Sequence, residues 1–118
     1  MSTGPDPEES PAGVVSLQEV TAALLEQART HHSHRAARTV LAGATLRATA
    51  MALAAGAELA EHDPPPAATL QVLSGTVRLH AGQRSWSLSA GEVMAITPER
   101  HGVHADTDAV FLLTVALH

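Results

Sequence analysis

The sequence predicts an all-β protein, an antiparallel sandwich or barrel with one amphipathic helix in front of it. Three observations lead there. From Arg38 onward apolar residues recur with a period of two, whereas before it a single stretch has helical spacing. Turn signals break the period-two region at close intervals, at Gly43, Gly56, Pro64-Pro65-Pro66, Ser74-Gly75, Gly82, Ala90-Gly91 and Pro98. At 118 residues the chain has material for one domain with one modest core. Short strands so spaced hide one face each, by stacking as two sheets or closing on themselves.

Residues 1–15, MSTGPDPEESPAGVV, combine three Pro, two Gly and three acidic residues with little apolar content. Such a segment cannot bury enough surface to offset the entropy of ordering, which predicts a disordered tail. Ser16-Leu17-Gln18-Glu19 is a Ser-x-x-Glu capping box, and Leu17, Val20, Leu24, Leu25 and Ala28 follow on one stripe. A helix over 17–29, ending near Thr30, is the expectation. The helix and its connection occupy 16–37, and the β domain 38–118. Strands are predicted near 38–42, 44–54, 58–62, 68–73, 76–80, 84–88, 92–96, 101–105 and 109–117, with Ser74-Gly75 as a tight hairpin turn.

Composition narrows the function classes. Apolar residues make up 45% of the chain and aromatics 2%, so the core must be small and aliphatic rather than an aromatic-lined cleft. A net charge of −5 with seven Lys and Arg leaves no basic stripe, which argues against nucleic acid as a partner. There is no cysteine, hence no disulfide, thiolate site or cysteine nucleophile. No run approaches the ~18 apolar residues of a membrane span, and the N-terminal stretch has no basic or apolar leader pattern. A soluble, cytoplasmic protein without a membrane partner is the expectation.

Two stretches carry more. GAELAEHDPPPAATLQVLSG, Gly56 to Gly75, resembles the first motif of the cupin superfamily, G(X)5HXH(X)3,4E(X)6G, with Gly56, His62 and Gly75 in register. GEVMAITPERHGVH, Gly91 to His104, resembles the second, G(X)5PXG(X)2H(X)3N, with Pro98 one place late and His101 one place early. The chain is also similar to small single-domain bacterial cupins with a short helix before the barrel. The resemblance covers roughly residues 44–117 and implies a jelly-roll barrel, commonly a homodimer. It further implies a divalent Fe, Mn, Ni or Zn ion held by three histidines and a glutamate. Here Pro64 stands at the second histidine position and Ala68 or Thr69 at the glutamate position, depending on spacer length.

That substitution shapes the chemistry. In a strand, i and i+2 share a face, so His-x-His would give two nitrogens to one side, and Pro64 gives none. His62 and His101 remain as metal-ligand candidates; His104, three residues beyond His101, joins them only through a bulge. Ligand-pocket candidates are His62, His101, Thr69, Gln71, Arg47 and Met51. Arg47 and Met51 share the larger, more polar face of the strand over 44–54, and Thr69 with Gln71 would face inward if Ala68 does not. Arg47 would suit an anionic ligand, or a surface pair with Glu58 or Glu61. His80 is expected to point outward beside Arg78, and His31-His32-Ser33-His34 to be a solvated connection. The preferred reading is a small-molecule-binding protein with a degenerate metal site. The alternative is a metal-dependent enzyme, of oxygenase, isomerase or hydrolase type, acting on a small polar substrate.

Overall fold

The computed structural model describes residues 13–117. The tail expected over 1–15 therefore lies outside the described residues, apart from its last three. Helix α1 spans Leu17–Thr30, with the Ser16 hydroxyl accepting from the Glu19 amide at 3.2 Å, as the capping box predicts. Nine strands follow among the described residues: β1 Arg35–Ala42, β2 Leu46–Leu53, β3 Glu58–His62, β4 Ala68–Ser74, β5 Thr76–Ala81, β6 Arg84–Ser89, β7 Val93–Ala95, β8 His101–Ala105 and β9 Ala109–Ala116. They form two antiparallel sheets, ordered β1-β2-β9-β4-β7 and β3-β8-β5-β6.

The two sheets face one another over an aliphatic core. Leu53, Leu70, Val72, Val77, Leu79, Leu88, Val103, Ala105, Ala109 and Phe111 fill it, with half-buried Met51, Leu59, Trp86, Met94 and Ile96 around them. A second cluster lies on the outside of the five-stranded sheet. There Val20, Leu24 and Ala28 of α1 cover Val40, Ala48, Ala50, Ala52 and Val110. The alternation in β2 is thereby explained: its alanines take the helix, while Met51 and Leu53 take the core. Small alanines let the helix approach the sheet closely, which favours dense packing.

Two expectations need correcting here. Ser74-Gly75 is no hairpin, because β4 pairs with β7 and β9 in one sheet and β5 with β6 and β8 in the other. Gly75, at φ +78°, turns the chain from one sheet to the opposite one, so that Leu70 and Val72 meet Val77 and Leu79 across the core. Strand β1 also begins three residues earlier than expected, at Arg35, because Arg35, Ala36 and Ala37 pair with Leu53, Ala52 and Met51.

Connections 53–58, 74–76, 89–93 and 105–109 each carry the chain between sheets, and together they close one end of the sandwich. The opposite end holds the loops 42–46, 62–68, 81–84 and 95–101. That open end is where the chemically interesting residues converge.

Candidate functional site

Strand β8 presents His101, Val103 and Ala105 to the interior, and His101 is the one buried polar side chain among the described residues, at 2% exposure. Its cross-strand partner is His62 on β3. The two imidazole rings meet edge to face, centroids 4.4 Å apart and planes at 63°. Their contact depends on an irregularity. Leu59 pairs with Val103, but His62 rather than residue 61 pairs with His101, so β3 carries one extra residue between them. Without that bulge the side-chain alternation would turn His62 to the outside.

Each ring is held by the carbonyl two residues before it. His62 Nδ1 lies 3.1 Å from the Ala60 carbonyl, and His101 Nδ1 lies 3.2 Å from the Glu99 carbonyl. A carbonyl can only accept, so Nδ1 carries a proton on both rings, and in the neutral form of either ring Nε2 is the acceptor. Burial holds the His101 imidazole below its ordinary pKa of 6.5, with His62 and His80 acting in the same direction and the Glu99 carbonyl against it. That favours the neutral form of the His101 ring.

Arg47 sits on the same face of β2 as Met51 and Leu53, and the β2–β9 ladder is regular throughout. It therefore points to the sandwich side at the open end, where it is exposed. Neither surface partner expected for it is available: Glu58 contacts His104 and Glu61 contacts His80. Met51 lies deeper, packed against the core.

The remaining candidates lie elsewhere. Thr69 and Gln71 alternate with the buried Leu70 and Val72, and both are exposed on the outer face of their sheet. The aliphatic pair decides the register of β4, so it is Ala68 that shares the inner face. His104 is likewise outside: β8 runs without a bulge, three residues reverse the side, and His104 Nδ1 contacts Glu58 Oε1 at 3.1 Å on the solvent face. His80 points outward beside Arg78, as expected, with Val77 and Leu79 in the core. Among the described residues no three His, Asp or Glu side chains converge to hold a metal ion.

Sequence reasoning missed the rim. Arg100 donates to Asp63 Oδ1 at 2.8 Å and to the Glu61 carbonyl at 3.1 Å, and Arg84 pairs with Glu99 while its guanidinium lies 5.1 Å from the Trp86 ring centroid. These ties join loops distant in sequence, so only the reversed charges of Asp63 and Arg100 could have hinted at one of them.

No protein-family model matches the chain, and no curated protein is similar to it. Solved structures are. A conserved protein of unknown function from Streptococcus pyogenes is similar over 100% of this chain and 98% of its own, with TM-score 0.72 and 19% identity. A cupin-2 domain protein from Shewanella frigidimarina gives TM-score 0.69 and 14% identity over 88% of this chain and 95% of its own. A salicylate 1,2-dioxygenase from Pseudoaminobacter salicylatoxidans gives TM-score 0.73 and 20% identity; 93% of this chain covers 36% of that one. What these proteins share with the chain at such identities is the double-sheet fold.

Proposed function

We propose that this protein, whose fold is that of the cupins, binds a small hydroxylated organic anion at the open end of its sandwich. The single observation behind the proposal is the edge-to-face pair of His62 and His101, each with Nδ1 committed to a carbonyl and Nε2 without a hydrogen-bond partner among the described residues. Two Nε2 atoms side by side, each an acceptor when its ring is neutral, suit a ligand that brings a donor, such as a hydroxyl group. Arg47, unpaired among the described residues, supplies a fork for a carboxylate. Met51, Met94 and Ile96 give the inner end an apolar floor.

The donor set does not fit a resident metal. Divalent transition ions take three or four protein ligands, whereas the histidine pair has no third partner among the described residues, with Pro64 and Ala68 at the positions where the cupin motif has ligands. Binding at this site is accordingly read as hydrogen bonding and charge pairing by the protein's own groups.

The test joins two measurements on untagged protein purified without immobilised nickel. Elemental analysis gives metal per chain, and thermal-shift titration compares lactate and malate with their deoxy counterparts propionate and succinate. Substoichiometric metal, with a rise in melting temperature for a hydroxy acid that is lost in His62→Ala and Arg47→Ala, is the expected result. Near one metal per chain, lost in His62→Ala, would overturn the proposal in favour of a metal-dependent enzyme.

A further inference from the structure

The bulge in β3 decides whether His62 faces His101, and the strand's own sequence does not require it: Glu58-Leu59-Ala60-Glu61-His62 could pair regularly. In a regular ladder Glu61 would oppose His101 and His62 would face solvent. Something outside β3 must therefore select the bulged register, and two contacts meet that need.

The first comes from Arg100, the residue before His101. Its guanidinium donates to the Glu61 carbonyl at 3.1 Å and to Asp63 Oδ1 at 2.8 Å. Glu61 and Asp63 are the immediate neighbours of His62 on either side. One planar side chain thus holds both flanks of His62 while the next residue on β8 meets its ring. The second contact comes from the outer face. There His80 Nδ1 lies 3.6 Å from Glu61 Oε2. To reach it from β5, the His80 ring crosses β8 at Gly102, where a Cβ would lie 2.6 Å from His80 Cε1 and 2.8 Å from the Leu59 carbonyl. Glycine at 102 leaves the path open.

We infer that Arg100 is a positioning residue for the histidine pair, selecting the register in which His62 turns inward, and that His80, across Gly102, latches the displaced Glu61 on the outside. The inference concerns the geometry of the pair on which the proposed ligand site rests, and it stands whether or not a hydroxy acid is the ligand. Lysine cannot replace Arg100 fully, because a single ammonium lacks the fork that spans two acceptors in fixed geometry.

The test reads the pair directly, without ligand. In isotope-labelled full-length protein, nuclear Overhauser contacts between the His62 and His101 ring protons report the inward register, and the Leu59–Val103 methyl contact reports the unbulged part of the same ladder. In Arg100→Ala the ring contact is expected to weaken most while the Leu59–Val103 contact persists; in Arg100→Lys it weakens less; in His80→Phe it weakens with Arg100 intact. A full-strength ring contact in Arg100→Ala overturns the inference. If Arg100→Ala does not fold, Arg100→Lys and Asp63→Asn decide in its place: an undiminished ring contact in both overturns the inference, and its loss or weakening in either supports it. Because none of these readouts involves a small molecule, failure of the ligand reading leaves the outcome unaffected, and the converse holds too.

Discussion

The closed and open ends of the sandwich are made from the same strands, yet they are built in opposite ways. At the closed end, side chains of the turns bond backbone of neighbouring turns, Asp108 Oδ1 accepting from the Ala55 amide at 2.8 Å and Thr107 Oγ1 from the Thr76 amide at 3.0 Å, while Glu92 Oε1 closes its own turn by accepting from the Ser89 amide at 2.7 Å. Beneath them Leu53, Val77, Ala105 and Ala109 are fully buried. At the open end the ties between loops are exposed ion pairs and one bond from Arg100 to the Glu61 carbonyl, and the buried side chain is an imidazole. Exposed pairs contribute little stability, typically about 0–1 kcal/mol. The difference teaches a division of labour: one end holds the fold and the other is free to bind.

The strongest way to break that contrast is Gly75→Ala. Gly75 has φ +78°, and an added Cβ would stand 2.8 Å from Thr107 Oγ1 and 2.9 Å from Ala109 Cα, and closer still to the Asp108 carbonyl. Backbone cannot move aside as a flexible side chain can. Strain and overlap together are expected to cost about 4 kcal/mol or more, measured by urea denaturation. A loss below about 1 kcal/mol would show that the closed end is far more pliable than its packing implies.

Much of this architecture was legible in the sequence because strand alternation reports which face is buried. The capping box located α1, and period two placed every strand to within a few residues. Alternation is local, however, and says nothing about which sheet a strand joins, which is why Ser74-Gly75 read as a hairpin. It also cannot number residues across a bulge. His104 fell outside by plain parity, whereas His62 came inside only through the extra residue between Leu59 and His62. The side taken by Thr69 and Gln71 stayed open because the Pro64-Pro65-Pro66 turn conceals the register, and the burial of Leu70 and Val72 turns both outward.

A second contrast between the ends is in pH dependence. His101 is held below its ordinary value of 6.5 mainly by burial, so the unfolded chain takes up a proton at a pH where the folded one does not. Stability is therefore full above about pH 6.5 and falls as pH drops from there toward the lowered folded value, by at most about 1.4 kcal/mol per pH unit for one proton. Denaturation of the wild type and of His101→Gln at pH 8 and pH 5.5 checks it. The variant should lose less stability on acidification, and equal losses would remove His101 as the cause. Asp108, at the other end, is held below 3.8 chiefly by the Ala55 amide and then by Arg29 of α1. Its sign is the same but its window lies lower: its contribution is present above about pH 4 and is lost as pH falls through the lowered value. Asp108→Ala at pH 7 is expected to cost about 1 kcal/mol after allowance for its exposure, and to make stability less sensitive to acid below pH 4.

The smallest expected effect on stability is the most informative about function. His62 is exposed, sits at the end of β3, and contributes one hydrogen bond to its own strand and one ring contact to His101. Removing it in His62→Ala should change stability by less than about 1 kcal/mol, since no cavity opens in the core and no buried partner is orphaned. His101 keeps its Glu99 carbonyl, and it loses a neighbour whose positive charge would oppose its own protonation. Its midpoint should therefore rise toward the ordinary value, which imidazole carbon shifts followed against pH would show. A protein that melts as the wild type does, titrates differently at His101 and no longer responds to a hydroxy acid would separate the two ends cleanly. Loss of folding in His62→Ala would instead make the histidine pair part of the scaffold, and the open end could no longer be read as the place that stability leaves free.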